Sequence, residues 1–262
     1  AQTLPTQTAT PDPLADGIAL QTSKDYSAAL SFFQGACARA DLPDKVRARA
    51  KARVGFTYVY MGDRANALRT YLDVADQFAG QKEIACTALV NAGHLYAQDK
   101  DYLNAIASYR RAIKAYGDAP EARKWAAQAQ LRIGMAYLGY HDPALAGGRD
   151  IRKAHDAFEQ VLKTYPDQIE WATEARLQLL ALNLEFAING WAGLDDVVKE
   201  CDSFAKANPG DVERLPTAHL VRAEALYHLE RFDDAIGAIS LVQQQGRKDS
   251  APWGTSHFLL AQ

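Results

Sequence analysis

The side chains here whose types could do chemistry are six histidines, three cysteines and the adjacent carboxylates Asp195-Asp196 and Asp233-Asp234. Their spacing supports little of it. The histidines are scattered, and none shares a helical face with a second metal ligand, so no metal is expected. His155 and Asp156 are neighbours on a helical stretch and point apart. Cys37, Cys86 and Cys201 lie far apart without a CxxC, which excludes a disulfide framework and the usual zinc spacings. Each cysteine sits in an apolar helical pattern and reads as a small buried hydrophobe. The acidic pairs stand ahead of helical segments, where carboxylates favour the positive helix terminus over general-acid work. The nucleophile-elbow, dinucleotide, P-loop and HExxH patterns are all absent. A non-catalytic chain without cofactors is the expectation.

What remains for function is recognition by polar and aromatic groups, and the chain's bulk properties limit its targets. Of 262 residues, 48% are hydrophobic and 23% charged, which is a globular composition with ample apolar surface for a core. A net charge of −3 and a pI near 6.1 offer no basic field for phosphates, so nucleic acid is not an expected partner. No run of about eighteen apolar residues exists to span a membrane. The opening "AQTLPTQTATPDP" is rich in Thr, Gln and Pro, so residues 1–12 are expected to form a flexible tail. It resembles a mature terminus behind a removed signal peptide, which gives an exported (periplasmic or extracellular) protein as the expectation, with a cytoplasmic one as the alternative.

The elements that position the recognition residues repeat. Gly17, Gly55 and Gly93 are spaced by 38, as are Ala29, Ala67 and Ala105. Tyr58 and Tyr71, Tyr96 and Tyr109, Leu20 and Phe33, and Leu226 and Ile239 all stand 13 apart. From Gly134 to Ala154 and from Tyr137 to Phe158 both intervals grow by 8, which places an insertion in the turn at 139–150. Its Tyr140, His141 and Gly147-Gly148 make it a second candidate for binding. Each unit reads as helix, short polar turn, helix, with apolar residues at three- and four-residue intervals. Six helix pairs are expected, at about 14–41, 46–78, 83–116, 121–165, 169–207 and 214–244. Small residues would mark the helix crossings, and Tyr or Phe would fill the space beside them. Trp191, in "NGWAG", is expected to tuck against a helix end.

Gly93, Tyr96, Tyr102, Ala105, Tyr109 and Ala112, with Gly55, Tyr58, Ala67 and Tyr71 in the preceding unit, resemble the tetratricopeptide repeat. The family's period is 34 residues, and here each unit is longer by about one helical turn. Lengthened units with helix ends like "FEQVLKTYPD" (158–167) resemble exported bacterial members of the cell envelope. The resemblance implies an all-α, right-handed α-α superhelix over residues 13–247, with 248–262 as a partial repeat or capping helix. It implies a non-catalytic scaffold holding a protein or peptide in a concave groove lined by first helices. Repeat phase puts Arg49, Phe56, Tyr60, Asn91, His94 and Gln98 on that inner surface, followed by Gln128, Arg132, Met135, Tyr227 and His228. Asn91 and Arg132 match two places of the family's carboxylate clamp. Ala52, Phe56 and Gln128 occupy the other places, so the clamp is incomplete.

Three alternatives remain. An α/α-toroid enzyme needs hairpins of roughly fifty residues and two convergent carboxylates, against which the shorter period speaks. A helical-repeat RNA reader needs a basic inner face, which the pI contradicts. The chain could also be the regulatory or interaction part of a larger protein with a downstream domain.

Overall fold

The computed structural model describes residues 12–140, 150–245 and 252. The expected tail (1–11), most of the 139–150 insertion and nearly all of the 248–262 segment lie outside the described residues. Among those described, every regular element is a helix: twelve of them, in two compact units.

The first unit runs to Tyr140. It holds α1 (Ala15–Thr22), α2 (Tyr26–Ala38), α3 (Asp44–Tyr60), α4 (Arg64–Gln77), α5 (Lys82–Gln98), α6 (Tyr102–Tyr116) and α7 (Arg123–Gly139). Consecutive helices pack side by side, and the first helices also meet one another, α3 with α5 and α5 with α7. The second unit holds α8 (Ile151–Thr164), α9 (Ile169–Ile188), α10 (Leu194–Ala207), α11 (Leu215–His228) and α12 (Phe232–Gln245), again packed in chain order. These limits agree closely with the six pairs expected from the sequence. Within each unit this is the layered packing of an α-α solenoid.

The turns explain why the hairpins form. Asp25, Asp63, Asp101 and Asp150 each accept a bond from the backbone N–H three residues on, capping α2, α4, α6 and α8. Just ahead of three of those caps the chain passes through the left-handed region, at Lys24, Gly62 and Lys100; Gly190 and Glu230 do the same before α10 and α12. Pro166 and Pro209 fall just past the ends of α8 and α10 and stop them.

Packing follows the repeat. A Cβ placed on Gly55 would come 2.9 Å from the Tyr71 ring, and one on Gly17 would come 2.7 Å from Phe33. The small residue is therefore what lets the two helices of a hairpin approach. Second helices then rest on the next first helix: Tyr26 stacks on Tyr60 at 5.3 Å, Arg64 donates to the Leu95 carbonyl, and Tyr102 lies against Gly139. Cys86 and Cys201 are buried as expected, and burial pushes each thiol up to about 12. Cys37 departs from expectation in being only partly buried. Trp191 departs more clearly. It keeps contact with the α9 end, its ring 5.7 Å from that of Phe186, yet is 57% exposed rather than tucked in, with the Arg152 guanidinium 4.9 Å above its ring.

Candidate functional site

The residues singled out from the sequence fall in both units. Nine lie in the first, and all of them except Tyr60 and Gln128 line two recesses on the side formed by α3, α5 and α7. The wider recess encloses about 730 Å³ and is lined by Arg49, Arg53, Phe56, Asn91 and Trp125 among others. The second, about 400 Å³, is lined by His94, Gln98, Tyr102, Tyr109, Arg132 and Met135. α5 supplies Asn91 to one recess and His94 and Gln98 to the other, since residues three and seven apart lie on one helical face.

Several of these groups already have partners. Arg49 pairs with Asp12 at 2.7 Å. Gln98 accepts from Arg64 at 2.9 Å. Tyr60 is 55% exposed but stacked on Tyr26, with Phe56 edge-on at 4.8 Å. Arg53, which repeat reasoning did not select, bonds to Gln21 and lies over the Phe56 ring. Its cue was present in the sequence, since it stands four residues after Arg49 on one helix.

Others have none. His94 Nε2, Gln128 Oε1 and Arg132 Nε are buried without a partner among the described residues. Arg132 makes no ion pair with any described carboxylate. Burial, aided by the positive charge of Arg132, depresses the His94 imidazole to about 4, so the ring is neutral at physiological pH. It stands edge-on to the buried Tyr109 ring at 5.8 Å. Burial also raises the Tyr109 hydroxyl well above its usual range. The recess thus presents one unpaired cation and one neutral imidazole beside aromatic walls. It holds no nucleophile–base pair, and the described residues contain no cluster of side chains able to hold a metal ion.

Tyr227 and His228 belong to the second unit, at the end of α11. Tyr227 is 49% exposed and meets His228 and Phe232 edge-on, at 5.8 and 5.7 Å. No helix of the described residues is long and apolar enough to cross a membrane.

Comparison with known proteins agrees with this architecture. The sequence pattern of the tetratricopeptide repeat matches residues 87–118, which span most of α5 and all of α6. No curated protein matches the sequence. Solved structures match the fold at low identity. A tetratricopeptide repeat protein from Parabacteroides merdae is 15% identical with a TM-score of 0.58, over 89% of this chain and 78% of that one. PilF of Pseudomonas aeruginosa is 13% identical with a TM-score of 0.59, over 95% and 96%. The apo form of the quorum sensor NprR from B. thuringiensis is 13% identical with a TM-score of 0.61, over 95% and 68%. The chain therefore carries a tetratricopeptide repeat at residues 87–118 and has the all-α fold of tetratricopeptide repeat proteins.

Proposed function

We propose that the protein is a non-catalytic interaction scaffold whose first unit holds an extended peptide of a partner protein along α3, α5 and α7. The observation that carries this reading is the unpaired pair in the smaller recess, His94 and Arg132, whose Nε2 and Nε are buried without a partner among the described residues. Each buried polar atom left unpaired costs about 1–3 kcal/mol, and proteins retain few of them. Ala or Leu at these places would pack as well without that cost. A bound main chain supplies both donors and acceptors, so it could meet an imidazole nitrogen and a guanidinium together. The wider recess beside it offers Phe56 and Trp125 for apolar side chains and Asn91 for backbone.

Selection from a random peptide display library on the purified protein tests this. Selected peptides should lose affinity when Asn91 and Arg132 are both replaced by Ala. Peptides that bind the double variant unchanged would place binding elsewhere.

A further inference from the structure

The second unit contains a cleft that the repeat pattern does not account for. It lies among α8, α9 and α10, encloses about 530 Å³, and is floored by Leu179, Leu180 and Phe204. Three polar residues cross it in a row. His155 Nε2 stands 3.1 Å from Asn183 Oδ1, and Asn183 Nδ2 donates to Glu200 Oε2 at 2.8 Å.

Two members of that row break the repeat at places where every other hairpin that can be aligned keeps it. The residue after the small residue of the second helix is Leu30, Leu68 and Ile106 in the first three hairpins and Ile236 in the last. In the fourth it is His155. The turns fix the register of the first helices, because each has one residue in the left-handed region: Lys24, Gly62, Lys100, Gly190 and Glu230. Seven residues earlier stand Gly17, Gly55, Gly93, Asn183 and Ala223. Asn183 thus replaces the small crossing residue, and α10 makes room by carrying Cys201 where α4 and α6 carry Tyr71 and Tyr109. Two independent departures from a packing rule meet at hydrogen-bonding distance. Packing alone favours Leu and Gly or Ala here, as the other hairpins show.

We infer that this row is a binding site for a basic side chain, an ammonium or guanidinium on an aliphatic stem, presented by a partner peptide. The hydrogen-bond directions set the chemistry. A carboxylate only accepts, so the Asn183 amide turns its NH2 to Glu200 and its oxygen to His155. That oxygen requires the proton on His155 Nε2. Glu200 keeps a second oxygen, and Glu159, also lining the cleft, has no partner among the described residues. The row therefore offers acceptors in excess, which suits a donor-rich cation. Lys199, at the exposed rim of the cleft, is paired with Asp196 at 2.9 Å. Arg176 lines the opposite end, seven residues along α9 and so roughly 10 Å away. The leucine floor takes the methylene stem.

The test is an NMR titration of the labelled full chain with acetyl-Gly-Leu-Lys-Leu-Gly-amide and with the same peptide carrying norleucine or glutamate in place of lysine. The lysine peptide should move the amide signals of His155, Asn183 and Glu200, and the other two should bind at least tenfold more weakly. The double variant His155→Leu/Asn183→Ala restores the residues of the other hairpins, so it should fold at least as stably while losing the lysine response. Equal binding of the norleucine or glutamate peptide, or an unchanged lysine affinity in a folded double variant, overturns the proposal. Neither outcome bears on the recesses of the first unit.

Discussion

The ring of Tyr109 lies so close to the backbone of Gly93 that a Cβ there would come within 2.4 Å of its Cε1 atom. Tyr109 is 1% exposed and cannot swing away. Gly93→Ala should therefore destabilise the protein by about 1–3 kcal/mol through overpacking, despite alanine's better helix propensity. Gly35, exposed within α2, is the control, because nothing lies within 4 Å of its Cβ position. Gly35→Ala should stabilise by up to about 1 kcal/mol. Urea denaturation of both variants checks this, and shifts of the same sign would show that the crossing does not depend on the missing side chain.

Removing a turn cap should act locally. Asp101 accepts from the Asn104 backbone N–H at 3.3 Å and from its side chain at 2.7 Å. Asp101→Ala should cost about 1 kcal/mol. Because solenoid hairpins contact mainly their neighbours, faster amide exchange should appear first in α5 and α6. A uniform rise in exchange across both units would contradict that.

Acid should weaken the protein through His94. At neutral pH the ring is uncharged in both folded and unfolded chains. Below its ordinary value of 6.5 the unfolded chain takes up a proton, while the folded chain does so only near 4. The unfolded state then binds more protons, so stability falls as pH drops through that window. His94→Gln should flatten the decline by on the order of 1–3 kcal/mol. Between pH 7 and pH 4 the difference in melting temperature should shift in the variant's favour toward the acid end. Parallel curves would assign the acid sensitivity to other groups.

Replacing Asn91 and Arg132 together by Ala should weaken a selected peptide by about 2 kcal/mol or more, as loss of a buried charged contact does. The melting temperature should stay near that of the unsubstituted protein, because Arg132 makes no ion pair with a described carboxylate. Calorimetry and a thermal melt read both quantities. A large fall in melting temperature would mark Arg132 as structural.

Spacing alone made the helix pairs legible. Gly, Ala and Tyr recurring at 38 and 13 residues report contacts between neighbouring helices, and such contacts are local enough to imprint on a linear pattern. Aspartates before the second helices announced the turns for the same reason. The inner-face residues Asn91, His94 and Arg132 were legible by phase. Their lack of partners was not, since it depends on which side chains other helices bring close.

The row in the second unit shows the same boundary from the other side. His155 and Asn183 stand in the sequence as two separate breaks in the repeat, 28 residues apart. The sequence determined that each hairpin forms, because propensity, capping and apolar period act within a few residues. Only the tertiary structure decided that both breaks face one cleft and bond to each other. A hydrogen bond requires atoms about 3 Å apart in a fixed direction, and that distance is set by how α8 and α9 pack, not by any spacing along the chain.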